Sequence, residues 1–150
     1  MYNLNTKRAI VDENGTIEWV SGSFGSKVSL LYPMSVLRGE GAKSEFTGIT
    51  FAGNDQYLDT GAKVIHAAPR TSSSINSKSI SKGNGVAIYR GLVSVKPNCP
   101  GCKSTVTCES LMLDQESQSD TIPVIDIQTS DIDLGHEAKI GRIDDDVIFY

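Results

Sequence analysis

The sequence predicts an all-β protein, and three features of the chain lead to that prediction. Apolar and polar residues alternate over short runs, whereas the i, i+3, i+4, i+7 apolar spacing of an amphipathic helix is almost absent. β-branched and aromatic residues fill these runs, as is typical of strands. Turn-forming residues separate each run from the next. The pattern therefore predicts about a dozen short strands.

Four runs show the alternation most clearly, at residues 16–20, 27–32, 45–51 and 125–127. Successive side chains of a strand point to opposite faces, so each run would bury one face. The turn signals between strands are Asn14-Gly15, Phe24-Gly25-Ser26, Gly39-Glu40-Gly41, Gly53-Asn54, Gly83-Asn84-Gly85 and Pro100-Gly101. Of these, Asn14-Gly15 has the composition of a two-residue hairpin turn.

The serine-rich segment 70–82 bears on how the strands assemble. It contains isolated isoleucines at positions 75 and 80. Small side chains beside single aliphatic ones are typical of a solenoid, in which parallel strands of successive turns lie on one another. The pattern alone leaves a solenoid and a sandwich equally open.

The charge of the chain argues against two classes of partner. Its 150 residues carry a net charge of −4 and give a pI near 5.1, which disfavours nucleic acid and anionic membranes. The first ten residues lack the apolar run of a signal peptide, and no stretch approaches the roughly 20 apolar residues of a membrane helix. We therefore expect one domain of a soluble cytoplasmic protein.

The last four residues, 147–150, have the composition of an apolar strand with no polar cap after it. A solenoid needs a capping element to cover its last turn. We therefore expect the chain to be a fragment that continues in a longer protein.

Seven segments of the chain form a recognisable series: TKRA at 6–9, DTGAKVIH at 59–66, SKSISKG at 77–83, YRGLV at 89–93, CESLML at 108–113, GHEA at 135–138 and RIDDDVIFY at 142–150. They resemble segments of the SufB branch of the SufB/SufD family and occur in the order found in that family. SufD proteins share the fold, but Cys108 and Glu137 stand where the SufB pattern, and not the SufD pattern, has those residue types.

The resemblance implies a right-handed parallel β-helix, with residues 1–150 forming part of the β-helical core and lacking the C-terminal helical domain. It implies a non-catalytic scaffold that receives sulfur and iron and holds a nascent iron–sulfur cluster together with the ATPase SufC and with SufD or a second SufB-like chain. Exposed strand edges predict dimerisation through the ends of the β-helix. Flavin, a cofactor in some SUF systems, has no motif here, and no phosphate-binding G-x-x-x-x-G-K-[ST] loop occurs.

Cys108 is the first candidate for chemistry, because a thiolate is a soft ligand for iron and an acceptor of persulfide sulfur. A free cysteine in a strand is also a common small core residue. His136 and Glu137 are the next candidates, and the resemblance associates both with cluster formation. As neighbours in a strand they would point to opposite faces, so only one would enter the interior unless a bulge intervenes.

Two further positions depend on the resemblance. Many family members have an acidic residue where this chain has Gly135, and Asp133, on the same face, would substitute for that carboxylate. Lys7 matches a family lysine on the interior path of sulfur transfer, where an ammonium would stabilise a migrating persulfide anion. An ordinary surface lysine is the alternative.

Cys99 and Cys102 form a C-x-x-C pair, a spacing that suits one metal ion or a redox couple. Cys108, six residues further on, would supply a third ligand. The family does not have this pair, so a structural role and a metal or redox role stay equally open. His66 is expected to be a structural histidine.

Three rival functions follow from the same residues. A β-helical polysaccharide lyase or hydrolase would need clustered carboxylates, and the run Asp144-Asp145-Asp146 is better explained as a solvated turn. A SufD-like partner subunit would hold no cluster. A metal or redox module would depend on Cys99 and Cys102 alone.

Overall fold

The computed structural model describes residues 1–143, which form a β-solenoid of about five turns. Twelve strands make up this part of the chain: β1 Tyr2–Asn5, β2 Arg8–Val11, β3 Thr16–Phe24, β4 Val28–Leu31, β5 Met34–Leu37, β6 Lys43–Ala52, β7 Tyr57–His66, β8 Ser72–Ser81, β9 Val86–Val95, β10 Cys102–Met112, β11 Gln118–Ile127 and β12 Ile132–Arg142. No helix in this range has the length and apolar character to cross a bilayer.

The strands form two parallel sheets. One sheet stacks β3, β6, β8, β10 and β12 in chain order. The other stacks the pairs β1/β2 and β4/β5 and then the long strands β7, β9 and β11. Each turn of the solenoid contributes one layer to both sheets.

The prediction of an all-β solenoid is confirmed, and the sandwich is ruled out for the described residues because every strand pairing among them is parallel. The hairpin predicted at Asn14-Gly15 is wrong. These residues connect β2 to β3, which lie in different sheets. Asn14 does adopt the left-handed conformation (φ 55°) that its composition suggests, but it turns a corner of the solenoid.

Every second residue of the long strands lines the interior of the solenoid, and β7 and β9 bury residues of their outer face as well. In β6 the pattern is complete, with buried and exposed residues alternating from Lys43 to Ala52. Leu37, Leu58, Ile75 and Val95 are among the largest fully buried side chains. Because neighbouring strands are parallel and in register, equivalent inward residues of successive turns form columns along the solenoid.

Serines in these columns stabilise the stack through hydrogen bonds between turns. The hydroxyls of Ser73 and Ser104 lie 2.9 Å apart, and those of Ser79 and Ser110 lie 2.8 Å apart. Small residues thus allow close stacking, and these four hydroxyls stay hydrogen-bonded. The segment 70–82 accordingly supplies the ten-residue strand β8.

The expected strand at 147–150 and the acidic turn at 144–146 lie outside the described residues.

Candidate functional site

Cys108 lies on the inner face of β10, in the fourth turn, and only 2% of its surface is exposed. Its register partners are Ser77 in the turn before and Ala138 in the turn after. The residues two positions away on the same face, Val106 and Ser110, are also buried. The thiol therefore faces the interior of the solenoid and not the solvent.

Hydrogen bonds that cross the interior identify the residue that lies opposite Cys108. His66 of β7 contacts Ser73 of β8 (3.0 Å), and Thr60 of β7 contacts Thr50 (3.3 Å), whose register partner in β8 is Ser79. Stepping four residues along each strand from the first contact, or two from the second, places Ala62 opposite Ser77.

The same pairing across the interior applies one turn further along, at the level of Cys108. The register partner of Ala62 is Gly91, and that of Ser77 is Cys108. Gly91 of β9 therefore faces Cys108 across the interior. Because glycine has no side chain, the Tyr89 ring lies over it, and the Tyr89 hydroxyl is 3.1 Å from where a Cβ of Gly91 would be.

Burial raises the pKa of the Cys108 thiol to about 11, while the hydroxyl of Tyr89 lowers it in part. At neutral pH the thiol is therefore protonated. Iron binding at Cys108 would release this proton, since the thiolate is the form that ligates a metal.

His136 lies on the same inward-facing side as Cys108, one turn further along. Its register partner is Val106, and Ala138 is the partner of Cys108, so His136 and Cys108 are diagonal neighbours. Such neighbours have Cα atoms about 8 Å apart. Unlike the thiol, the imidazole is exposed, because it belongs to the fifth turn, where Ile125 and Ile140 are also exposed.

Glu137 points to the outer face of β12, opposite to His136. The register of β10 with β12 runs unbroken over the whole strand, so no bulge turns the two side chains to one side. The Glu137 carboxylate forms an ion pair with Lys139 at 2.8 Å, and both side chains are largely exposed. Asp133 and Gly135 share this outer face, as their pairing with Lys103 and Thr105 shows. A carboxylate at position 133 or 135 would therefore lie on the wall of the solenoid away from Cys108.

Cys99 and Cys102 are free thiols, 2% and 1% exposed, at the corner where β9 leads into β10. The Cys102 sulfur lies 3.2 Å from the Thr71 hydroxyl. Burial raises the pKa of Cys99, as does the neighbouring Cys102.

The prediction that Cys108 joins Cys99 and Cys102 as a third ligand is wrong. Cys102 and Cys108 stand six residues apart on one extended strand, which separates them by about 20 Å. Among residues 1–143, no group of three or more His, Cys, Asp or Glu side chains is arranged to hold a metal ion.

Lys7 lies between β1 and β2 in the first turn and is exposed. Its carbonyl accepts a hydrogen bond from Met34 (3.0 Å), just as the Pro33 carbonyl accepts one from Lys63. Lys7 therefore lies in the column of Pro33, Ala62 and Gly91. This column faces Cys108 across the interior, and along the solenoid axis Lys7 lies three turns, or about 14 Å, from the level of Cys108.

His66 is fully buried, and both of its ring nitrogens are hydrogen-bonded. Nδ1 lies 2.8 Å from the Thr71 hydroxyl, and Nε2 lies 3.0 Å from the Ser73 hydroxyl. Burial lowers the pKa of His66 to about 4. This arrangement agrees with the structural role expected for it.

The buried neutral state of His66 predicts that acid destabilises the fold. The unfolded chain takes up a proton near the ordinary value of 6.5, whereas the folded chain resists protonation down to a pKa of about 4. The contribution of His66 is therefore complete above pH 6.5 and lost as the pH falls toward 4. We expect this loss to be on the order of 2–3 kcal/mol. Urea unfolding at pH 7 and pH 4 checks it, with His66→Gln, which does not titrate, showing a smaller pH dependence than the wild type. Equal pH dependence in the two proteins would contradict it.

Tyr89 is the residue of this region that sequence reasoning missed as a separate candidate. It lies on the inner face of β9, 4% exposed, two residues before Gly91. Its only signal in the sequence is its place in the segment YRGLV. Nothing local relates that segment to Cys108, because the two meet only across the interior.

A family model described as the SUF system FeS cluster assembly, SufBD core domain, matches residues 1–150. An iron–sulfur cluster assembly SufBD family protein of Staphylococcus haemolyticus (strain JCSC1435) is 51% identical over 150 residues, which are 100% of this chain and 32% of the relative. Proteins of the same description from Staphylococcus saprophyticus (50%) and Staphylococcus aureus strain USA300 (51%) match over the same shares of both chains. The chain thus spans about a third of the length of the curated relatives it matches.

Proposed function

Because the chain belongs to the SufBD core family of the SUF system for iron–sulfur cluster assembly, we propose that it is part of a SufB-type scaffold. In this role it receives sulfur and iron, and Cys108 and His136 help to hold the nascent cluster. The observation that supports this most directly is that the two side chains share the interior face of adjacent turns as diagonal neighbours. A thiolate and an imidazole are both suitable ligands for iron.

The choice of SufB over SufD depends on the residue types at the site. A subunit that only supports its partner needs no ligand on the interior face. Here Cys108 lies in the column of Ser77 and Ala138, which are of similar size and carry no metal-binding group. A cysteine at this position adds a reactive group without changing the packing.

The described residues supply too few ligands for a complete cluster. The site is therefore completed from outside residues 1–143, by SufD or by a second SufB-like chain. The exposure of His136 suits ligation at such a shared boundary. SufC would provide ATPase activity, and the chain itself acts as an assembly factor and not as an enzyme.

Lys7 fits the role of guiding sulfur along the interior. It lies in the column that faces Cys108, and the positions between them are Pro33, Ala62 and Gly91. An ammonium in this column would attract a persulfide anion toward it.

A matched pair of variants tests the interior face. His136→Ala removes an inward-facing ligand, and Glu137→Ala removes its outward-facing neighbour, which is paired with Lys139. We expect His136→Ala to lower iron affinity by about tenfold or more, and Glu137→Ala to change it less than about twofold. Iron and acid-labile sulfide are counted per chain after anaerobic reconstitution with the SUF partner subunits present.

The two variants lie next to each other on an exposed strand, so a general effect on folding would appear in both. Equal loss of iron in both would show that ligands approach from outside the solenoid. That result would contradict the interior site.

A further inference from the structure

Tyr89 carries a buried hydroxyl for which the described residues provide no hydrogen-bond partner. A buried polar group without a partner destabilises a fold by about 1–3 kcal/mol. Phenylalanine would fill the same space without this cost. The hydroxyl therefore calls for an explanation other than packing.

The position of the ring shows where the hydroxyl is directed. A Cβ atom placed on Gly91 would lie 3.1 Å from the Tyr89 hydroxyl and 3.0 Å from the Tyr89 ring. The side chain therefore leans over Gly91, which is the residue that faces Cys108. The absence of a side chain at position 91 is what allows Tyr89 to reach this point.

The group that the hydroxyl approaches is the thiol of Cys108. The hydroxyl lies over Gly91, which faces Cys108 across the interior, and burial, followed by the charge of Cys108 and a contact with it at the limit of hydrogen bonding, raises the pKa of Tyr89 above its ordinary value. The two groups are thus close, although their geometry falls outside that of a formed hydrogen bond while the sulfur is unmodified. The inward residues nearest to the thiol carry no charged group, and His136 lies further off, at the diagonal position of the next turn; the nearest residues are Ser77, Gly91, Val106, Ser110 and Ala138.

We infer that the Tyr89 hydroxyl is the hydrogen-bond donor for a persulfide held on Cys108. The inference rests on the proposed function, in which Cys108 accepts sulfur. A persulfide adds one sulfur atom beyond the thiol, toward the Tyr89 hydroxyl that lies over Gly91. Its terminal sulfur is an anion among residues that carry no charged group, and a buried anion needs a donor. The hydroxyl that has no partner in the unmodified chain gains one when sulfur arrives.

The loading step can be written for inorganic polysulfide, a chemically defined sulfur donor. The Cys108 thiol gives up its proton to the polysulfide, which acts as a base, and the resulting thiolate attacks the terminal sulfur of a polysulfide dianion. A bond forms between the two sulfurs as the adjacent sulfur–sulfur bond of the donor breaks. The bonding pair and the proton leave with the polysulfide, shortened by one atom, as a hydropolysulfide anion, and Cys108 retains the persulfide anion. Tyr89 donates to the terminal sulfur of that product.

Tyr89→Phe tests the inference because it removes only the hydroxyl. The protein is incubated anaerobically with inorganic polysulfide, freed of excess donor, and analysed by mass spectrometry of the peptide that contains Cys108. We expect about tenfold less persulfide on Cys108 in the variant than in the wild type. Persulfide yields on Cys99 and Cys102 should not change, because these thiols lie at the corner between β9 and β10, away from Cys108 and Tyr89.

A thermal unfolding measurement separates this role from a structural one. Removing an unpartnered hydroxyl should leave the midpoint unchanged or raise it. Ser81→Ala is the matched control, since Ser81 is fully buried, also has an unpartnered hydroxyl, and ends β8 away from Cys108. It should match Tyr89→Phe in stability and the wild type in persulfide yield.

Two results would overturn the inference. One is an unchanged persulfide yield on Cys108 in Tyr89→Phe. The other is a destabilised variant that loses persulfide equally at all three cysteines, because Tyr89 would then be structural. The assay contains no iron, so it is independent of cluster binding. If Cys108→Ser still binds iron and sulfide, the proposed function fails whatever the effect of Tyr89→Phe.

Discussion

Replacing Cys108 with serine should abolish most of the iron and sulfide that the chain retains after anaerobic reconstitution. The substitution exchanges a soft thiolate ligand for a hydroxyl, which is a poor ligand for iron and cannot carry a persulfide. Iron and acid-labile sulfide are counted per chain in the wild type and in Cys108→Ser. The chain is assayed alone and with the SUF partner subunits, because the proposed site is completed by ligands from a partner.

The solenoid should accept this serine. Inward serines already face each other in adjacent turns, as with Ser73 and Ser104, whose hydroxyls lie 2.9 Å apart. A serine at position 108 would meet Ser77 in the same way. We therefore expect circular dichroism and the unfolding midpoint to change little, so the loss of iron would be a chemical effect.

The double variant Cys99→Ser/Cys102→Ser is the control for Cys108→Ser. These thiols are buried at the corner where β9 leads into β10, and Cys102 lies about 20 Å along β10 from Cys108. We expect the double variant to keep its iron and sulfide. The opposite pattern, with iron kept in Cys108→Ser and lost in the double variant, would favour the metal or redox module and contradict the scaffold.

Local sequence patterns predicted the strands and corners well, because alternation and turn residues act over a few neighbouring positions. The choice between sandwich and solenoid was not available from them. Each strand pairs with one about 30 residues away along the chain, and no short-range signal encodes that register. The hairpin expected at Asn14-Gly15 failed for the same reason, since a left-handed asparagine serves a solenoid corner as well as a hairpin.

The candidate site, like the fold, has features that local sequence predicts and features that depend on tertiary contacts. That His136 and Glu137 point to opposite sides follows from the two-residue period of a strand and required no tertiary information. The relation of Cys108 to Tyr89 did require it, because the residues lie in different sheets and meet across the interior. The grouping of Cys108 with Cys99 and Cys102 failed because short spacing in sequence becomes a long distance in an extended strand.

Gly61→Ala should destabilise the protein by at least about 3 kcal/mol or prevent its folding. Gly61 lies in β7, at the point where this strand passes from pairing with β4 to pairing with β5. A Cβ atom there would overlap the backbone carbonyl of Arg90 in the next turn, with only 1.9 Å between the Cβ and the oxygen. A change of rotamer cannot relieve this contact, because the Cβ position is fixed by the backbone. Solubility on expression and urea unfolding measure the effect.

Gly135→Ala provides the matched control, since a Cβ atom at this position has its nearest neighbour, the Thr105 methyl group, at an ordinary 3.9 Å. We expect this variant to be as stable as the wild type, or slightly more so, because alanine restricts the unfolded chain. The contrast also separates two explanations for the segment 59–66. If Gly61→Ala folds with wild-type stability, close approach of neighbouring turns does not explain the glycine. If Gly61→Ala does not fold while Gly135→Ala does, the resemblance of segment 59–66 to the family is explained by the stacking of β7 on β9. In the same stack Arg90 pairs with the buried Asp59 at 2.9 Å.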